Sequence, residues 1–245
     1  MEWNDEGIVL SARRHGEGSA VVVLMTREHG RHAGLARGAT SARSRAMLQP
    51  GNSVEAVWRA RLAEHLGNWA LEPLEGAAAE LMDDPLKLAG LTSACAIADK
   101  ALPEREPHPR VHAGLMALLS AMRNEDLGDL WVAAYVRWEL GLLADLGFGL
   151  DLETCASTGA TEDLVYVSPR SARAVSAQAG EPYHGKLLTL PRFLSKRGGG
   201  EPADMLDGLI LTGHFLESHV FGAHGQPVPE PRQRFVERCR TQIPA

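Results

Sequence analysis

Hydrophobic residues follow a strand rhythm in the first third of the chain and a helical rhythm after it. Ile8-Val9-Leu10 opens a short strand, and Val21-Val22-Val23-Leu24-Met25 is a continuous apolar run suited to a buried one. Gly16-Glu17-Gly18-Ser19 reads as the turn between them. Glu28-His29-Gly30-Arg31 has the length of a hairpin turn, with His32 to Arg37 as the return strand, closed by Gly38. Further on, Val54, Ala56, Trp58, Ala60 and Leu62 share one face of an extended segment, and Glu55, Val57, Arg59 and Arg61 share the other. Trp69 to Pro73 supplies a last short strand. Five strands in under 80 residues predict a small closed barrel over residues 1–78, because closure removes exposed edges.

Residues 79–147 read as helices. Asp84-Pro85 is an N-cap followed by proline at the first helical position, and a helix follows from Leu86 to Leu102. Pro103 to Arg110 holds three prolines and reads as a linker. Val111, Leu115, Leu118, Leu119 and Met122 fall on one helical face, as do Trp131, Tyr135, Trp138 and Leu142. The second of these helices stops at Gly147-Phe148-Gly149. Residues 148–200 are mixed, with one strand expected at Leu164 to Pro169 and a break at Gly198-Gly199-Gly200. A last helix is expected from near Pro202 to about Phe221, and the proline-rich tail from Gly225 to Pro231 as neither regular helix nor sheet core.

Composition narrows the function. The chain has 245 residues, 44% hydrophobic and 23% charged, with aromatics at only 5%, so its core rests on Leu, Ala and Val. No apolar stretch is long enough to span a bilayer. The acidic start, Met1-Glu2-Trp3-Asn4-Asp5-Glu6, does not read as a secretory signal, and the expected location is the cytoplasm. Cys95, Cys155 and Cys239 are too widely spaced for a disulfide framework or a zinc site in sequence. A net charge of −6 excludes a uniformly basic nucleic-acid protein. Any binding of nucleic acid must use a local patch.

Such a patch is present. No acidic residue occurs from His29 to Ser53, while Arg31, Arg37, Arg43 and Arg45 fall in that window and Arg27 just before it. Most sit in or beside Gly38-Ala39-Thr40-Ser41-Ala42-Arg43-Ser44-Arg45, expected as a small, polar loop. Planar guanidinium forks bind phosphate oxygens bidentately, and each neutralised phosphate releases counterion. The bland alternative is a solvated loop whose arginines serve solubility. A second basic interval, Leu164 to Gly200, carries Arg170, Arg173, Lys186, Arg192, Lys196 and Arg197 against Glu181 alone. Trp58 is the obvious base-stacking candidate, but its alternation with Val54 and Leu62 favours the core. Few exposed aromatics imply backbone contact with little sequence specificity.

Catalytic patterns are absent. His214 and His219 are five apart, about 140° around a helix, which does not suit a shared metal. Gly16-Glu17-Gly18-Ser19 matches neither a P-loop nor a dinucleotide fingerprint, and no nucleophile elbow occurs. Cys95 among Ala94, Ala96 and Ile97 reads as a buried, inert thiol. The chain is expected not to be an enzyme.

Several motifs, in order, resemble those of the RecO family, the bacterial recombination mediators and DNA-repair proteins. They are Gly16-Glu17-Gly18-Ser19 through Thr26-Arg27-Glu28-His29-Gly30, then Leu35-Ala36-Arg37-Gly38-Ala39, Ser44-Arg45 and Leu48-Gln49-Pro50-Gly51. Later come Leu142 to Phe148, Leu152-Glu153-Thr154-Cys155-Ala156, Tyr166-Val167-Ser168-Pro169 and Gly213-His214-Phe215-Leu216-Glu217. The resemblance implies an α+β chain: a five-stranded OB-fold barrel at 1–78, then a mostly helical domain at 79–245 with a degenerate zinc-finger-like insertion at 148–200. It implies binding of single- and double-stranded DNA, annealing of complementary strands and help in loading RecA. Implied partners are RecR and the acidic C-terminal tail of single-stranded-DNA-binding protein, and the implied setting is the bacterial nucleoid. By position it assigns DNA contact to Arg37, Arg43 and Arg45, and further to Arg14, Arg27 and Arg31. Some members hold zinc through four cysteines at Cys-x-x-Cys spacing. Here Cys155 stands alone, with Thr158 three residues on and Ser168, Ser171 and Ser176 where a second pair would lie, so neither zinc nor any other cofactor is expected. The competing reading is a protein-interaction adaptor whose arginines pair with a partner's carboxylates.

Overall fold

The run at residues 21–25 is uninterrupted because its strand is covered on both faces. Five strands, β1 (Glu2–His15), β2 (Ser19–Thr26), β3 (Gly30–Arg37), β4 (Ser53–Arg59) and β5 (Asn68–Glu75), close a barrel in the order β1-β2-β3-β5-β4. All neighbours are antiparallel except β3 and β5, which run parallel and pair only through Leu35–Asn68 and Ala36–Trp69. Val22 and Leu24 point into the barrel with Val9, Val54, Ala56, Trp58 and Trp69. Val23 and Met25 point outward and are buried nonetheless. A short helix α1 (Ala42–Met47) links β3 to β4, and α2 (Ala77–Glu80), α3 (Pro85–Ala101) and α4 (Pro109–Arg123) follow. Helix α3 packs on β1 and β2 and covers their outer residues. It starts as its sequence predicts: the Asp84 carboxylate accepts from the amides of Leu86 and Lys87, with Pro85 at the first position.

The computed structural model describes residues 1–242. They form two compact units, Met1–Arg123 with Pro229–Phe235, and Asn124–Val228 with the rest of the last helix. In the second unit α5 (Trp131–Asp145) is followed by β6 (Leu164–Val167), β7 (Ala174–Ser176), α6 (Ala177–Gly180), β8 (Leu188–Thr189) and α7 (Pro202–Phe215). The last helix, α8, runs Glu230–Gln242. The three short strands make one sheet in the order β7-β6-β8. Helices α5 and α7 meet at Gly208, where a Cβ would lie 2.9 Å from Val136, so only glycine permits this approach. The buried Glu139 carboxylate accepts the Thr212 hydroxyl across the same contact. Among the described residues no helix is long and apolar enough to cross a membrane.

Several sequence expectations need correction. The first strand is 14 residues long rather than a short one at Ile8, because its first half pairs with β4 and its second with β2. Strand β4 ends at Arg59, so Leu62 leaves the core face and is 46% exposed. The segment after Gly38 is not all loop: Ser41 caps α1 by accepting from the Ser44 amide. The terminal helix α8 went unforeseen because prolines crowd its start, although Pro231 lies in its first turn, where proline is tolerated. The expected last helix is regular only to Phe215 and continues as a π-wound turn, Leu216–Phe221.

The end of the barrel near Trp3 is closed by aromatics. Trp3 stacks on Trp58 at 5.6 Å and on His29 at 3.8 Å, and its edge meets Trp69 at 5.4 Å. Trp58 Nε1 donates to the Leu66 carbonyl and Trp69 Nε1 to that of Val22, so both indoles are core residues. His32, 4% exposed, lies among these rings, and burial, then the charges of Arg105 and His29, lowers its pKa to about 4. The unfolded chain therefore binds a proton that the folded barrel refuses. His32 costs nothing above pH 6.5, and stability falls as pH drops from there toward 4. We expect this single group to remove about 3 kcal/mol over that interval. Urea unfolding midpoints measured across pH will show a shallower acid loss in His32→Phe than in the parent.

Candidate nucleic-acid interface

Strand pairing divides the six candidate arginines between the two ends of the barrel. His15, Ser19 and Arg37 lie in one row across β1, β2 and β3. Gly7, Thr26 and Gly30 form the row at the other end. Seven strand residues separate the rows, roughly 20–25 Å at about 3.3 Å each. Arg14 and Arg37 end their strands in the first row's neighbourhood, and Arg43 and Arg45 stand on α1, which leaves β3 from that end. All four are exposed. Arg27 and Arg31 lie at the opposite, aromatic-plugged end.

Those two are also differently engaged. The Arg31 guanidinium, 16% exposed, donates Nε to the Leu102 carbonyl at 2.8 Å and pairs with Asp99 and Glu104, both at 3.4 Å. It anchors α3 and the chain after it to the barrel, and its Nε, Nη1 and Nη2 each have a partner within the chain. Arg27 forms an exposed pair with Glu28 at 3.4 Å. Close by, Asp5 accepts from the Glu28 amide and contacts His29 Nδ1 at 2.9 Å. Arg27 thus stands among carboxylates, a poor setting for a polyanion.

Of the four remaining arginines, Arg14 and Arg45 line the cavity at this end of the barrel, and Arg37 and Arg43 stand on the end of β3 and on α1. A β-bulge at Leu10 sets up this end. After it Ser11 opposes Val23 on the outer face, while Ala12 and Arg14 oppose Val22 and Ala20 on the inner one. Ser11 Oγ can then donate to Asp99 on α3, at 3.0 Å. Ala12 and Arg14 line a cavity of about 600 Å³ together with Ala20, Ala39, Leu48 and Arg45. Arg14 Nε donates to the Gly16 carbonyl at 3.3 Å. Glu17 is the one carboxylate of the lining.

Helix α1 is held by a residue that sequence reading missed. Asn52, buried, donates Nδ2 to the Ala46 and Met47 carbonyls at 2.8 and 3.3 Å, and its Oδ1 accepts from the Ala78 amide at 3.0 Å. It ties the end of the arginine-bearing helix to the start of α2. An Asn after Pro50-Gly51 reads as one more turn residue, and only the fold shows its three partners.

The second basic interval belongs to the second unit and is partly neutralised. Arg173 pairs with Asp151 at 3.2 Å, Arg192 with Glu201 at 2.9 Å and Lys196 with Glu162 at 3.5 Å. Cys155 is buried and accepts from the Ser176 amide at 3.3 Å, with Ser176 Oγ at 3.6 Å. Burial pushes this thiol up, but donors from Thr158, Ser176 and Ser157 outweigh it and hold it at about 6. One sulfur facing serine and threonine does not make a tetrahedral zinc set, so the donors present do not fit the metal. Cys95 is buried, and burial, with the Asp99 charge, raises its thiol to about 12, far from reactive. His214 contacts the Pro169 carbonyl and His219 stacks on Phe148 and Phe215, each engaged separately.

Comparison with known proteins defines the class first. Over nearly its whole length the chain is similar to bacterial DNA repair proteins. It is 54% identical over 242 residues to the DNA repair protein RecO of Rhodospirillum centenum, covering 98% of this chain and 95% of that one. It is 51% identical over 245 residues to that of Rhodospirillum rubrum, covering 98% and 97%. With the Bradyrhizobium relative it shares 53% over 251 residues, covering 99% of each. The model of the recombination protein O N-terminal region matches residues 1–75, and that of its C-terminal region matches 82–226. The chain belongs to the RecO family of DNA repair and recombination proteins.

Asn52→Ala should cost about 1–3 kcal/mol, because the Ala46 and Met47 carbonyls lose their donor and the Ala78 amide its acceptor. Hydrogen exchange should quicken at the amides of 45–48, while those of β1 and β2 change little; denaturant unfolding and mass-resolved exchange measure both.

Proposed function

We propose that this protein is a non-enzymatic DNA-binding mediator that holds single- and double-stranded DNA by the backbone, lets complementary strands anneal and assists RecA loading. One observation carries the reading: Arg14, Arg37, Arg43 and Arg45 gather at one end of the barrel, and only Glu17 among the cavity-lining residues opposes them. Two strands repel each other through their phosphates, and guanidinium groups that neutralise part of that charge let bases meet. Base pairing then supplies the selectivity, and the protein reads little sequence. Membership of the family supports RecR and the acidic tail of single-stranded-DNA-binding protein as partners, and a cytoplasmic, nucleoid-associated setting. The reading includes no zinc: hydrogen bonds around Cys155 and the Arg173–Asp151–Thr154 group hold the segment instead. Elemental analysis of the purified protein should give far less than one zinc per chain.

Binding to labelled single strands across a salt series tests the main claim. Replacing Arg14, Arg37, Arg43 and Arg45 together by Ala should weaken binding and flatten the log–log salt slope by roughly 2–3 units. Arg27→Ala should change neither by much. Arg31→Ala should lower the unfolding midpoint and leave the slope of the folded fraction intact. An unchanged slope in the fourfold variant would remove the barrel mouth from the mechanism.

A further inference from the structure

The barrel is asymmetric. One end is filled by Trp3, Trp58, Trp69 and His32. The other keeps a cavity of about 600 Å³, within the range of small-molecule sites. Its floor comes from the core itself, since Ala20, Ala39 and Leu48 belong to the barrel's buried cluster. Ala12 and Pro50 continue this apolar surface up the walls, and Ser19 and Thr40 add hydroxyls, while Ser11 and Gln49 are bonded to Asp99 and to the Arg45 carbonyl. Arg14 and Arg45 stand among these lining residues.

A phosphate alone does not suit this lining. It would need charge only, and would gain nothing from a floor of alanine and leucine while losing its hydration there. A purely apolar ligand would leave two guanidinium groups and the Ser19 and Thr40 hydroxyls without use. A nucleotide satisfies both halves. Its base offers flat apolar faces and a polar edge, and its phosphate an anion at the rim. No aromatic ring lines the cavity, so the usual stacking platform is missing. Guanidinium planes take that place, because arginine stacks on bases as well as pairing with phosphate. Glu17, an acceptor only, suits the amino edge of adenine, cytosine or guanine. Small side chains at 12, 19, 20 and 39 provide the space.

We propose that the open mouth of the barrel is a nucleobase pocket, which takes one unpaired base of a DNA strand between Arg14 and Arg45 while the flanking phosphates lie on Arg37 and Arg43. This rests on the DNA-binding reading above and adds to it a contact that a backbone cradle lacks. A base held in a duplex cannot enter without unpairing and unstacking. The pocket therefore favours single strands and holds a strand with one base already turned out of the stack.

The test compares a labelled oligodeoxyadenylate with an abasic strand of the same length and charge. The wild-type protein should bind the base-bearing strand roughly five-fold or more tightly. Ala12→Phe, which fills the mouth from an exposed position, should bring the base-bearing strand down to the abasic level and leave the abasic strand unchanged. Ser19→Leu fills it from β2 and serves if Ala12→Phe does not fold. Equal affinity for the two strands in the wild type, or a difference that survives a folded filling variant, would overturn the pocket and leave the backbone cradle standing. Failure of both strands to bind, or binding indifferent to the fourfold arginine change, would overturn the DNA reading and the pocket with it.

Discussion

The Asp99 carboxylate lies on α3 at 7% exposure and collects Ser11 from β1, Arg31 from β3 and, at 3.6 Å, Arg13 from β1. An isolated charge this deep would be strongly disfavoured, and three donors make it tolerable. In exchange it fixes where the helix sits on the barrel. The outer residues of β1 and β2 need that helix to leave water, so the continuous apolar run of β2 and the buried acid on α3 are two sides of one arrangement. Breaking the group would take from Arg31 one of its partners and loosen the helix that covers the apolar strand face.

The same carboxylate touches one residue of the cavity lining. Ser11 lines the mouth and donates to Asp99, and it faces outward only because the bulge at Leu10 inserts one residue into β1. Without that bulge the alternation would run on: Ser11 would point inward, and Ala12 and Arg14 would turn to the outer face. The arginine at the rim of the cavity is thus placed by a backbone irregularity at the buried Leu10, and the α1 arginines by Asn52. Local charge sets what the site attracts; the interior decides where that charge stands.

Much of this was legible beforehand. Alternation placed Val54, Ala56 and Trp58 inside, the Asp-Pro pair marked the start of α3, and helical spacing picked out Trp131, Tyr135 and Trp138 as core. The acid-free stretch identified the basic segment. What could not be read is which arginine is free. Arg31 and Arg37 occur in the same window with similar neighbours, and only partners some 68 to 73 residues away in sequence, Asp99, Leu102 and Glu104, engage the first. The bulge has no sequence mark of its own among three consecutive apolar residues. Asn52 looks like turn chemistry until its partners are known, and the far-apart halves of the Asp99 group share no local pattern.

The barrel's closure has one thin place, where β3 and β5 pair through two residues only. Alongside it, chain beyond Leu102 lies against the start of β3: Arg105 donates its amide to the Arg31 carbonyl at 2.8 Å, Glu104 bridges Arg31, and Gly30 meets the Glu106 backbone so closely that no side chain would fit. Arg105 then reaches over to the carbonyls of Glu64 and His65, just ahead of β5. A stretch that composition marks as a mere tether is a latch on the seam. The cylinder is wound by the first 75 residues, yet part of what binds its seam comes from chain that contributes no strand to it.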